Sequence, residues 1–298
     1  MRESLIDCLV IGAGPAGLSA ATYLSRFMRR VLVLHSGASR AALIPVSHNV
    51  PGYPEGIAGP ALLKALEQQA LKYGATIVKS RVLSLARTGD HFEAAHQHGT
   101  VQARRVILAS GIVDHSPPIE DIESAIRNGQ LRYCPVCDGY EAMDKRICVI
   151  GPAKSAIAKA VFLRTYSNNV TVICPALDLS EDDDSNSTIT IVTGKVTTVL
   201  RQDTMAVVLD SSETLEFDVV YPSLGCSPHS TLATGLGAEI DPDGALLVDK
   251  HQQTSIPGLY AAGDVASELD QIAVAFGHAA IATTHIHNAL PKNFRTSR

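Results

Sequence analysis

Residues 7–17 read Asp-Cys-Leu-Val-Ile-Gly-Ala-Gly-Pro-Ala-Gly (DCLVIGAGPAG). A short apolar run bounded by glycine predicts a buried strand, and the residues after Pro15 predict a helix. Strand, glycine turn and helix in this order form a dinucleotide-binding fingerprint. Gly12 permits the tight turn and Gly14 lets a pyrophosphate approach the backbone. Gly17 lets the helix pack on the sheet, with Pro15 and Ala16 opening a helix end that faces the phosphates. The next strand, RVLVLHSG from Arg30, ends where such sites place an acid for ribose hydroxyls. His35 and Ser36 stand there instead, and either can hydrogen-bond a ribose.

The same pattern returns at 146–156 (RICVIGPAKSA), followed by an Ala-rich stretch and a second β-branched run, NVTVICPA, from Asn169. Two copies predict two Rossmann-like α/β domains, each with a parallel sheet and a small antiparallel sheet. Between them, 76–85 and 92–107 read as hairpin-like strands ending at Ala109-Ser110-Gly111. HSPPIED from His115 reads as a linker, and 189–220 alternates like an antiparallel sheet. A second linker near 246–257 leads to GLYAAGDV and a closing helix over 270–290. The second domain (115–246) is therefore expected to be inserted into the first (1–114 plus 247–298).

A chain of 298 residues with 46% hydrophobic and 18% charged residues can bury two cores without staples. The net charge of −5 argues against general nucleic-acid binding. No apolar run approaches the ~20 residues of a membrane span, and the N-terminus runs into a strand without a signal-peptide pattern. A cytoplasmic protein is the expectation. The six cysteines then start from a reduced background, where a lasting disulfide is more often catalytic than structural.

Cys134-Pro135-Val136-Cys137-Asp138-Gly139 is the chemical centre of the sequence. Two thiols three positions apart can close a small disulfide ring, and a cysteine at a helix start is activated as a thiolate. The competing reading is half of a zinc site, which wants a second ligand pair. Cys8, Cys148, Cys174 and Cys226 are single and lie in or beside strands, so the redox pair is favoured.

Together these motifs resemble the low-molecular-weight thioredoxin reductases over nearly the whole chain. The resemblance rests on VIGAGPAG, Asn49-Val50-Pro51-Gly52-Tyr53-Pro54, VILASG, CPVCDG, GLYAAGDV and Asp270-Gln271-Ile272-Ala273, in that order. It implies an FAD cofactor, a homodimer and a thioredoxin-like protein substrate. Residues 12–17 would hold the FAD pyrophosphate, with His35 and Ser36 near the ribose. Arg40, His48, Asn49 and Val82 would lie along the cofactor, and Ala109, Ser110 and Gly111 would close over it. Gly263 and Asp264 would meet the ribityl chain, and Asp270, Gln271 and Ile272 the isoalloxazine. Cys137 would face the flavin, Cys134 would attack the substrate, and Asp138 would move protons; a helix cap is the plainer role for Asp138.

The second fingerprint departs from the family. Ala153 replaces its middle glycine, where a methyl group would press on a pyrophosphate. The strand after it runs into Cys174-Pro175-Ala176-Leu177, then Asp178 and Glu181-Asp182-Asp183-Asp184, without the arginines that hold a 2′-phosphate. An EF-hand reading of this acidic run fails for want of the central glycine and terminal glutamate. These departures point to the pyridine-nucleotide-independent branch, with ferredoxin as electron donor. A ferredoxin near −400 mV would drive a thioredoxin-like disulfide near −270 mV by roughly 6 kcal/mol. Its docking patch would draw on Arg26, Arg29, Arg30, Lys292, Arg295 and Arg298. The alternatives are a dithiol oxidase using oxygen, a reductase with a second flavin in the relic site, an NADPH-dependent thioredoxin reductase and a non-catalytic redox sensor. His48, His278, His285 and His287 fall near the flavin or dimer segments, and packing explains them as well as proton handling does.

Overall fold

The structure is a computed structural model describing residues 5–37, 39–177, 189–266 and 269–295. The chain opens with β1 (Ile6–Ile11), α1 (Pro15–Arg26), β2 (Val31–His35), α2 (Gly59–Lys72), β3 (Thr76–Lys79), β4 (Val82–Thr88), β5 (His91–His96) and β6 (Gly99–Leu108). Then come β7 (Ile112–Asp114), α3 (Ile122–Arg127), α4 (Pro135–Asp138), β8 (Ile147–Ile150), α5 (Ala153–Leu163) and β9 (Val170–Cys174). It continues through β10 (Thr190–Thr193), β11 (Val196–Arg201), β12 (Met205–Leu209), β13 (Thr214–Phe217) and β14 (Val219–Pro222). The last elements are β15 (Cys226–Pro228), α6 (Thr231–Thr234), β16 (Leu259–Ala261) and α7 (Ile272–Ala289).

Two compact units divide these elements. The first holds the described residues up to Ala42, Gly59–Val113 and those from Ser227 onward; the second holds Leu43–Ala58 and Asp114–Cys226. The long stretch of the second unit is thus inserted within the chain of the first. β7 and β15 form a two-stranded sheet where the chain leaves for the insertion and comes back.

In the first unit β3, β2, β1, β6 and β16 run parallel. The ten-residue β6 serves three partners, its N-terminal half pairing antiparallel with β5 and its C-terminal half parallel with β1 and β16. Along β1, Cys8 and Val10 face one cluster while Leu9 and Ile11 face another, the period-2 alternation of a strand covered on both sides. One cover is α1 against α7, where Ala16, Ala20, Ala275, Ala279 and Ala282 share a single core cluster. Their short side chains explain why two alanine-rich helices can pack closely here. The stretch 76–85 differs from a hairpin strand: it breaks at Ser80 and Arg81 into β3, parallel to β2, and β4, antiparallel to β5. Alternating β-branched residues look alike in either pairing.

The second unit repeats the logic. β10, β9, β8 and β14 form a parallel sheet, and β11, β12 and β13 an antiparallel one. Ile147 and Val149 of β8 enter one cluster, Cys148 and Ile150 the other. Only the middle of 189–220 is therefore antiparallel; β10 and β14 join the parallel sheet. Among the described residues, no helix is long and apolar enough to cross a membrane.

Candidate functional site: a nucleotide cradle and a redox-active disulfide

At the end of β1 the chain turns through Gly12 at φ +116°, a conformation that a side chain would strain. A methyl on Gly12 would also drive into the Ala109 carbonyl, and one on Gly17 into the Gly12 carbonyl. Gly14, the N-cap of α1, differs: the nearest atom to a methyl there is Ser39 Oγ at 3.5 Å. Its glycine leaves approach space for a ligand rather than room for the fold. No side chain caps α1 and no acid lies in its first turn, so the amide groups there are available to an anion. Gly263, at φ +79°, brings a turn beside α1, so close that a methyl on it would lie 3.0 Å from Ala16 Cβ.

Other expected cofactor residues gather in this unit. Arg40 Nη1 pairs with Asp264 Oδ2 at 3.3 Å. His278, on α7, feels the Asp264 charge, and its Nδ1 is buried with no hydrogen-bond partner among the described residues. Burial lowers the His278 and His35 imidazoles, favouring their neutral forms. Ser110 Oγ donates to the His229 carbonyl at 2.8 Å, and the His229 amide donates to the Gly111 carbonyl at 2.9 Å. His229, which no sequence motif marks, thus secures the Ala109–Gly111 turn. Gln271 is the N-cap of α7, whose first turn also lacks an acid. Val82 is buried in a core cluster. His285 bonds the Tyr260 hydroxyl, and His287 accepts from Arg29 Nε, so both are engaged in packing. The open approach at Gly14, the uncapped helix and the orphaned imidazole nitrogen fit FAD.

The cysteines lie in the second unit. Cys134 and Cys137 are joined by a disulfide, their Cα atoms 5.3 Å apart. Cys134 caps α4, and its Sγ accepts the Cys137 amide at 3.1 Å, a bond that would stabilise a thiolate there. A small pocket of about 240 Å³ beside Cys137 is lined by His48, Asn49, Val136, Tyr140, Glu141 and Tyr166. His48 and Asn49 thus group with the cysteines in the second unit, and Asn49 Nδ2 reaches the Val136 carbonyl at 3.5 Å. Cys8, Cys148 and Cys174 are buried, and burial raises all three thiols. No metal-binding cluster occurs among the described residues.

Asp138 directly follows Cys137. Burial raises its carboxyl from 3.8 to about 6, with Glu141 adding to the rise. Arg132, the Tyr221 hydroxyl and Lys159 pull the other way. Arg132 Nη1 lies 3.6 Å from Asp138 Oδ2, and Tyr221 Oη donates to Oδ1 at 2.9 Å. A carboxyl poised near 6 can take and give a proton close to neutrality. Arg132, Lys159 and Tyr221 are invisible to a sequence reading because no motif marks them; the fold alone brings β14 and α5 to the cysteine turn.

Fold and disulfide together define an FAD-dependent disulfide oxidoreductase. Residues 6–279 match the family model of pyridine nucleotide-disulphide oxidoreductases, and the chain belongs to that family. It is 32% identical over 285 residues to the bifunctional thioredoxin reductase/thioredoxin of Mycobacterium leprae, covering 89% of this chain and 61% of that protein. It is 32% identical to the thioredoxin reductase of Treponema pallidum, over 94% of this chain and 95% of that one. The crystal structure of HlmI superposes with a TM-score of 0.88 at 30% identity, covering 97% of this chain and 93% of that one.

These findings correct the electron donor. The expected ferredoxin-linked, pyridine-nucleotide-independent branch is overturned: the pyridine nucleotide family model runs through both nucleotide units, and the relatives are thioredoxin reductases. Two physical reasons accompany the correction. Ala153 is only 5% exposed and belongs to the core cluster with Ala156 and Ile157, so its methyl group serves packing. Arg29, a candidate for the ferredoxin patch, is buried and donates to His287 and the Pro291 carbonyl. Arg26 stacks over the Tyr73 ring. Asp178, the acidic run 181–184 and Arg298 lie outside the described residues.

Proposed function

We propose that the chain reduces the disulfide of a thioredoxin-like protein at the expense of a reduced pyridine nucleotide, NADPH being the form that the thioredoxin reductase resemblance implies. The observation that carries this reading is the Cys134–Cys137 disulfide with Asp138 beside it, in a chain of the pyridine nucleotide-disulphide family. The first unit would hold FAD along Gly12–Gly17, Arg40, Asp264 and the start of α7. The insertion would receive the nucleotide at the start of α5, whose first turn carries no acid and contains Lys154.

FAD, when bound, supplies the relay between a two-electron hydride donor and a disulfide. The first half-reaction consumes one NADPH and one proton and converts the Cys134–Cys137 disulfide to two thiols. Asp138 delivers a proton to the departing sulfur and recovers one from solvent. In the second half, the Cys134 thiolate attacks the substrate disulfide and releases one substrate thiol. Cys137 then breaks the mixed disulfide, so the substrate leaves as a dithiol and the Cys134–Cys137 bond re-forms. Such chemistry suits a reducing compartment, and a cytoplasmic location is part of the proposal.

NADPH-dependent reduction of a thioredoxin by the FAD-loaded protein tests the reading. Replacing Cys134 or Cys137 with serine should abolish turnover while FAD stays bound. Turnover surviving either replacement would refute the role of the pair.

A further inference from the structure

Tyr221 lies at the centre of β14 with no exposed surface. Its ring packs in the same core cluster as Ile147, Val149 and Ala160, a place that a phenylalanine would fill equally well. A buried hydroxyl is costly unless it is hydrogen-bonded. This one is aimed at Asp138, donating to the carboxylate Oδ1 at 2.9 Å and reaching the Asp138 carbonyl at 3.2 Å. From the other side, Arg132 Nη1 bonds the same carbonyl at 3.0 Å and faces Oδ2 at 3.6 Å. Arg132 Nε is tied to the Gly129 carbonyl at 2.8 Å, so the guanidinium is itself held. Lys159 Nζ binds the Pro222 and Tyr133 carbonyls, anchoring the residues next to Tyr221 and Cys134.

We propose that Tyr221 is a positioning residue for proton transfer at the cysteine pair: its hydroxyl clamps the Asp138 carboxylate between β14 and Arg132 and sets the pH at which that carboxylate is charged. The inference rests on the proton-transfer role of Asp138 in the proposed function. Burial and the adjoining carboxylate push the Tyr221 phenol well above its ordinary value, so it remains a donor throughout the working range. A donated hydrogen bond favours the charged carboxylate. Arg132 and Lys159 act in the same direction, and Glu141 opposes them. With the hydroxyl removed, Asp138 should therefore hold its proton to higher pH.

The test is the pH profile of exchange between the FAD-loaded, reduced protein and a small disulfide, for the parent, Tyr221→Phe, Asp138→Asn and the double variant. The titration of the Asp138 carboxyl, followed by carbon NMR, supplies a readout independent of rate. Tyr221→Phe should move both the acid limb and the carboxyl titration up by about one pH unit, as expected for a hydrogen bond to a charged group. Asp138→Asn should abolish the limb, and adding Tyr221→Phe to it should change nothing further. An unmoved limb in Tyr221→Phe, with the limb lost in Asp138→Asn, would overturn the role of Tyr221 and leave that of Asp138. An unchanged profile in Asp138→Asn would overturn both. A rate loss of the same size on adding Tyr221→Phe to the parent and to Asp138→Asn would reduce Tyr221 to a structural role. If the Phe variant does not fold, a ring-fluorinated tyrosine at 221 keeps the ring and strengthens the donor. The limb should then move to lower pH, and a stationary limb would contradict the proposal.

Discussion

Asp138 shows how a single side chain carries both chemistry and a stability cost. Its neighbours include two cations and a phenol, yet burial outweighs them and leaves the carboxyl near 6. The folded protein therefore binds this proton more tightly than the unfolded chain does. Stability from this group is highest at acid pH and is lost as pH rises between about 4 and 6, then stays level. Asn cannot titrate, so the parent should lose up to about 3 kcal/mol relative to Asp138→Asn between pH 3.5 and 7. Urea unfolding of the two FAD-loaded proteins across that range would measure it; a difference independent of pH would mean that the carboxyl is not raised.

At the scale of elements, the three glycines of the turn that begins α1 meet different demands. Gly12 and Gly17 are required by the fold, since added methyl groups would strike backbone carbonyls. Gly14 has φ −80° and ψ −173°, ordinary extended backbone, and open space beside it. Gly14→Val should thus cost the polypeptide no more than about 1 kcal/mol, the usual scale of N-cap changes. The same side chain would stand where the pyrophosphate approaches α1, so FAD affinity should fall tenfold or more. Flavin absorbance per protein after gel filtration, read beside thermal unfolding of the apoprotein, separates the two effects. Retained flavin would place the pyrophosphate elsewhere.

For the whole molecule, much is legible in the sequence because it is local. The fingerprint at 7–17, its echo at 146–156 and the cysteine pair each fit within a dozen residues and carry their own geometry. What is not legible depends on distant partners. β3 and β4 read as one strand because alternation does not reveal whether a neighbour runs parallel or antiparallel. Tyr221 and Arg132 meet at Asp138 only after β14 has been placed beside β8. In the sequence the Ala153 methyl reads as pointing at a ligand, and its burial in the core shows why one substituted glycine misdirects the donor assignment. A sequence shows that a methyl group is present, but its direction is a property of the fold.

The claim on which the rest depends is that reduced pyridine nucleotide feeds this flavin. Anaerobic mixing of the FAD-loaded protein with NADPH, and separately with NADH, tests it directly through the visible flavin band. The expected result is prompt bleaching by NADPH, with colour restored when oxidised thioredoxin is added. A flavin that stays yellow in excess of both nucleotides, yet bleaches with a dithiol, would contradict the account.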